Sequence, residues 1–229
     1  MTVFFLNSAS DQKLSETAYK ILSKKLNLRK NLNILISGGK SLKKFFSFII
    51  SKNINMSNVN FILSDERIVS EKSAYSNTAN IKYDFINKFQ KEKRPNFIFP
   101  SIKNINISNR KICREFRDKL NFLPTLAFIG VGEDGHLASI FNSDIKIQYS
   151  ETPFLICKKK NEKFRRISID MDYLINIPKI VLIILDKKKY KILNDILNYK
   201  TIDSKAPIFQ LLTKSRKDIF ILYNKNIIK

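Results

Sequence analysis

Residues 126–136 read Leu126-Ala127-Phe128-Ile129-Gly130-Val131-Gly132-Glu133-Asp134-Gly135-His136, and the change of character inside this stretch decides the fold. Residues 126–129 are wholly apolar and of strand length, as expected of a strand buried on both faces. Three glycines then fall within six residues. Glycines cost conformational entropy, so a strained turn or the close approach of a ligand is implied. A buried strand running into such a loop is a unit of an open α/β sheet, whose ligands bind outside the carboxyl ends of the strands.

The same unit occurs twice upstream. Residues 33–36 read as a strand ending at Ser37-Gly38-Gly39-Lys40-Ser41, with a helical pattern over 42–52. Val59–Leu63 reads as a strand running into Ser64-Asp65-Glu66-Arg67. Further strands are expected at 3–6, 154–157, Arg166–Ile169, the fully apolar 180–185, and 219–223, the last closing the sheet. Helices are expected at Asp11–Leu26, with Leu14, Ala18, Ile21, Leu22 and Leu26 on one face, and at 77–89, 109–120 and 188–197. The pattern predicts one α/β domain over residues 1–229: an open, mostly parallel Rossmann-like sheet with helices on both faces and room for a small extra lobe. The three loops, distant in sequence, are expected to converge on one cleft.

Composition narrows the class. At 229 residues, 44% apolar, with 18 Phe, the chain can bury a substantial core. The longest apolar runs fall far short of the roughly 20 residues of a membrane span, so no membrane partner is expected. The opening Met1-Thr2-Val3-Phe4-Phe5-Leu6 reads as a first strand rather than a signal peptide. Cys113 and Cys157 sit in separate elements, which argues against a disulfide framework and for a cytoplasmic location.

A net charge of +22 raises the question of nucleic acid. The excess is carried by 33 Lys against 9 Arg. Lys, Asn and Ile together make up 91 residues, and all three have A/T-rich codons, so codon bias explains them jointly. Arg, the better reader of bases and phosphates, is not enriched. Apart from runs at 158–160 and 187–189 the lysines are scattered. No nucleic-acid partner is expected, and a basic nucleic-acid-binding module stands as the alternative from another class.

Each loop has a chemical and a bland reading. The Ser37–Ser41 segment offers backbone N–H groups and a helix N-terminus for an anion, or is an ordinary turn with Ser41 as N-cap. Asp65-Glu66-Arg67 gives Arg67 an anion to hold and Asp65 a proton-handling task, or is a solvated loop with an internal ion pair. His136, the only histidine, stands two residues from Asp134. Imidazole titrates near neutrality and is the commonest general base, although a lone histidine is often structural. One His and two distant Cys make a zinc site unlikely, and no metal or cofactor is expected.

These segments resemble, in order, those of the 6-phosphogluconolactonase family, related to the glucosamine-6-phosphate deaminases. The shared pattern comprises the Ser-Gly-Gly loop at 37–39, Asp65-Glu66-Arg67 followed by Ser76-Asn77, and Gly-x-Gly-x-Asp-Gly-His-x-Ala-Ser-x-Phe over 130–141. Arg166 opens a strand and Lys189 starts a late helix at the matching places. The chain departs from the pattern at Lys40-Ser41-Leu42, where Ser-Thr-Pro is usual, at Leu137 for Thr, at Asn142 for Pro, and near Asp186, where a glycine is missing.

The resemblance implies a hydrolase that opens a phosphorylated sugar lactone without a cofactor. His136 would activate water, and Asp65 or Asp134 would orient the imidazole or bind a sugar hydroxyl. The 6-phosphate would sit on Gly38 and Gly39 with Ser41, Arg67, Arg166 and Lys189 around it. A monomer or weak homo-oligomer is expected. The nearest competing activity is amino-sugar-phosphate deamination, whose enzymes carry an acidic residue shortly after the motif histidine. Here His136 is followed by Leu-Ala-Ser-Ile-Phe-Asn-Ser, with no carboxylate before Asp144.

Overall fold

The computed structural model describes residues 2–26, 31–120, 122–143, 145–198 and 205–228. The first half runs β1 (Val3–Ser8), α1 (Asp11–Leu26), β2 (Leu32–Ile36), α2 (Lys43–Ser51), β3 (Val59–Leu63), β4 (Asp65–Arg67), α3 (Asn77–Asp84), β5 (Asn96–Ile98) and α4 (Asn109–Arg117). The second half runs β6 (Leu126–Gly130), β7 (Ile145–Glu151), β8 (Phe154–Lys159), β9 (Arg166–Ile169), α5 (Met171–Ile175), β10 (Lys179–Ile184), α6 (Tyr190–Leu197), α7 (Pro207–Lys214) and β11 (Asp218–Asn224).

Seven strands form a parallel sheet in the order β1-β11-β10-β6-β2-β3-β5. Successive side chains on a strand point to opposite faces, so an apolar run serves two cores at once. Ile34, Ile36, Phe61, Leu63, Leu126, Phe128, Val181 and Ile183 pack on one face with α1, α2 and α3. Leu35, Ile62, Ala127, Ile129, Leu182 and Ile184 pack on the other with α4, α6 and α7. The expected open parallel sheet with helices on both faces is what forms. Phe128, fully buried with its ring 4.4 Å from that of Phe45, sits at its centre. Truncating such a residue to alanine costs about 3–5 kcal/mol.

From β2 the chain moves outward through β3 and β5, then returns to β6 and proceeds the other way through β10 and β11. The strand order therefore reverses between the neighbours β2 and β6. Loops leaving adjacent strands towards opposite sides open a crevice at this switch point. The Ser37–Ser41 and 130–136 segments are those loops.

The extra lobe is a four-stranded antiparallel sheet in the order β4-β9-β8-β7. The residues expected as short strands at 154–157 and 166–169 belong to it rather than to the main sheet. Its Phe154, Ile156, Ile167 and Ile169 share the core of the second face, so the two sheets are packed together. Other expectations shift. The last strand, β11, lies inside the sheet, with β1 at its edge. The helix expected over 77–89 breaks at Phe85 into a 3-10 turn at Ile86–Lys88. Asp65–Arg67 is a strand, not a loop.

Candidate active site

All nine residues singled out from the sequence line one cleft of about 960 Å³ at the switch point. Gly38, Gly39 and Ser41 come from the end of β2, Asp65 and Arg67 from β4, and Asp134 and His136 from the loop after β6. Arg166 opens β9, and Lys189 lies in the 3-10 turn Lys187–Lys189 before α6.

The 130–136 loop is folded to present the imidazole. Gly132 N–H donates to the His136 carbonyl at 2.9 Å, and Gly135 N–H to the Gly132 carbonyl at 3.1 Å. His136 Nδ1 stands 2.5 Å from Asp134 Oδ1, which also accepts the His136 backbone N–H at 3.2 Å. The Phe141 ring lies 4.7 Å from the imidazole. Gly132 is required here, because a Cβ on it would lie 2.0 Å from His136 Nδ1. The hydrogen bond to His136 holds the Asp134 carboxyl well below the usual carboxylate range. With Nδ1–H donating to that carboxylate, Nε2 is the nitrogen left to accept a proton.

Between the two carboxylates left open by the sequence, geometry therefore pairs Asp134 with the histidine. Asp65 serves a different network. Its Oδ2 accepts from Ser139 Oγ at 2.7 Å and its Oδ1 from Ser64 Oγ at 3.0 Å, all three residues being buried. Arg166 Nη1 reaches the same Ser139 hydroxyl at 3.5 Å, while its Nε and Nη2 bind the Glu162 carboxylate at 2.8 and 2.5 Å.

Further cations come from the turn before α6 and from β4. Lys189 Nζ donates to Ser41 Oγ at 2.8 Å. Burial pulls the Lys189 ammonium below its usual value, against the smaller opposing pull of Asp186 and Glu133. Ser41 is not the helix cap considered from the sequence. It lies within a 3-10 turn whose N-cap is Gly39, and α2 begins without a side-chain cap bond. Arg67 Nη1 donates to the Tyr75 carbonyl at 2.8 Å, and its buried Nε meets no acceptor among the described residues.

The solvated-loop reading of Asp65-Glu66-Arg67 is overturned by Glu66, which is 1% exposed. Its carboxylate accepts from the backbone N–H groups of Asn77 and Thr78 at 2.8 and 2.6 Å and from Ser76 Oγ at 3.1 Å, fixing the start of α3. Desolvation pushes the Glu66 carboxyl up despite these donors. The Asn77 side chain then packs over Gly38, where a Cβ would come within 2.3 Å of Asn77 Cγ. Ser139, Asn77 and Glu162 were given no role from the sequence, although Asn77 and Ser139 fall inside the motifs quoted above.

Cys113 and Cys157 are free, buried and pushed up to about 12 by burial, which leaves them inert. Among the described residues no group of three His, Cys, Asp or Glu side chains could hold a metal ion. No helix among them is long and apolar enough to cross a membrane.

The family model described as "Glucosamine-6-phosphate isomerases/6-phosphogluconolactonase" matches residues 7–220. A 6-phosphogluconolactonase of Borreliella burgdorferi is 26% identical over 96% of this chain and 95% of its own length. A probable 6-phosphogluconolactonase of Dictyostelium discoideum is 25% identical over 87% of this chain and 88% of its own. Among solved structures, a 6-phosphogluconolactonase from Shewanella baltica aligns with a TM-score of 0.82 at 20% identity, covering 97% of this chain and 98% of that one. A monomeric glucosamine-6-phosphate deaminase aligns with a TM-score of 0.75 at 16% identity, covering 99% of this chain and 98% of that one. The fold is thus shared by both activities.

Proposed function

The chain belongs to the glucosamine-6-phosphate isomerase/6-phosphogluconolactonase family, and we propose that it is a lactone hydrolase of that family, converting 6-phospho-D-glucono-1,5-lactone to 6-phosphogluconate in the oxidative pentose phosphate pathway. The observation that carries the reading is the His136–Asp134 pair in the same cleft as the Ser41–Lys189 pair.

A lactone is a cyclic ester. His136 Nε2 takes a proton from a water as its oxygen attacks the carbonyl carbon, and Asp134 stabilises the imidazolium that forms. The tetrahedral oxyanion collapses, the bond to the ring oxygen breaks, and His136 returns the proton to that oxygen as it becomes the sugar hydroxyl. General base catalysis of this kind supplies about 10²–10⁴-fold. Asp65, fixed by Ser139 and Ser64, orients a sugar hydroxyl. The 6-phosphate rests on the Gly38 and Gly39 backbone, held by Ser41, Lys189, Arg67 and the Nη1 end of Arg166. Anchoring the remote phosphate positions the ring, so that its binding energy lowers the barrier at the carbonyl.

The deaminase branch is disfavoured by the segment after His136, which supplies no carboxylate through Ser143; Asp144 lies outside the described residues. Two free buried cysteines fit a reducing cytoplasm. The test is hydrolysis of the phosphorylated lactone against a no-enzyme blank, since the lactone also opens unaided, beside a salt-dependent DNA shift assay. Lactone turnover above the blank with no DNA shift at physiological salt supports the reading; a shift with no turnover would assign the charge to nucleic acid.

A further inference from the structure

Arg166 enters the cleft already paired. Glu162, on the turn between β8 and β9, takes the guanidinium Nε–H and one Nη2–H, in an ion pair whose side chains are 9% (Arg166) and 25% (Glu162) exposed. A guanidinium carries five N–H donors in a fixed fork, so the Nη1 end stays directed away from Glu162. Arg166 lines the cleft, and Glu162 is not among the lining residues. Two rings hold the guanidinium independently of the carboxylate: its Cζ lies 5.4 Å from the Phe141 centroid and 5.5 Å from that of Phe164. Phe164 is braced in turn by Tyr75, 5.5 Å away.

From this arrangement we infer that Glu162 is a built-in counter-ion that limits how tightly the cleft holds phosphate. The inference rests on the reading of the cleft as a phosphate site and deepens it. Because the rings fix the orientation of Arg166, the main contribution of Glu162 is charge. A guanidinium whose charge is already balanced across a mostly buried pair attracts a second anion less strongly. Glu162 is therefore a residue that sets affinity for phosphate-bearing ligands, and with it the release of a phosphorylated product. It does not touch the reacting atoms.

The test is binding of inorganic phosphate, measured by titration calorimetry on the wild-type chain, Glu162→Gln, Arg166→Ala and the double variant. Glu162→Gln preserves the side-chain shape and an acceptor for Arg166, and should bind phosphate about tenfold more tightly, the scale of one partly desolvated charge pair. The gain should vanish in the Arg166→Ala background. Glu162→Asp, which keeps the charge and gives a second variant should Gln unfold the turn, should stay within about twofold of wild type. Equal or weaker binding by Glu162→Gln, a gain that survives Arg166→Ala, or a tenfold gain in Glu162→Asp would each overturn the inference. A wild-type chain that binds no phosphate would remove the phosphate-site reading as well. Wild-type binding without a gain in Glu162→Gln removes this inference alone.

Discussion

His136 and Asp134 stand two residues apart in the chain, whereas Lys189 reaches the Ser41 hydroxyl across 148 positions. The first contact is made by one loop on itself. The second exists only because β10 and β2 flank β6 in register, so that a turn after one strand meets a loop after another. A locally built pair survives small shifts of the sheet. A pair assembled across the sheet depends on the whole fold, and its half-buried ammonium has already given up part of its hydration. On the proposed roles, chemistry and anchoring are separable, and variants at the two pairs should fail differently.

The largest expected effect is at the histidine. His136→Ala should lower kcat by about 10²-fold or more on phosphorylated and unphosphorylated lactone alike, with far-UV circular dichroism unchanged. Gly132→Ala probes the same pair without removing the histidine. Its Cβ would collide with the imidazole ring, so the side chain must rotate off Asp134. A loss of roughly 10–100-fold in kcat is expected, since small misplacement of a reacting group is that costly. If Gly132→Ala kept full activity, the Asp134 contact would have no catalytic part.

Lys189→Ala should act on phosphate anchoring alone. Removing one partner of a partly desolvated anion costs about 2 kcal/mol at the low end, or roughly thirty-fold in KM for the phosphorylated lactone. Unphosphorylated gluconolactone should be hydrolysed almost as before. Equal losses on both substrates would merge the two pairs into one function.

A smaller effect sharpens the same contrast through pH. Because burial lowers the Lys189 value in the folded chain, the unfolded chain holds more protons in the window between the two values. Folding stability attributable to this group therefore rises with pH across that window. Phosphate affinity runs the other way, falling by a few-fold as Lys189 deprotonates below the ordinary lysine value of about 10.4. Lys189→Arg, which stays charged, should flatten both trends. A phosphate affinity that declines with pH equally in wild type and Lys189→Arg would place the titrating group elsewhere.

What could be read from the sequence follows the same division. The apolar runs at 33–36, Val59–Leu63, 126–129 and 180–185 announced the parallel sheet because strands buried on both faces need continuous apolar residues. Loops placed after such strands must share an end of the sheet, so their convergence could be anticipated. Asp134 and His136 were legible as neighbours, although which carboxylate served the imidazole was not.

Elements with weak periodicity were missed. β4 and β5 are three residues each, and β7, an exposed edge strand, has no buried face to impose alternation. α7 carried a usable signal in Pro207 at its first turn. The Glu162–Arg166 pair lay four residues apart in a hairpin, where nothing in the sequence shows that the two side chains face each other rather than solvent. Glu66 read as surface charge because its partners, the backbone N–H groups at the start of α3, carry no sequence label.

One paired assay decides which of the two family activities this cleft performs. The wild-type chain is given 6-phosphogluconolactone, with ring opening followed against an enzyme-free blank, and in parallel glucosamine 6-phosphate, with ammonia release followed. The proposed lactonase activity predicts lactone opening well above the blank and no ammonia. Ammonia release with lactone opening at the blank rate would contradict it.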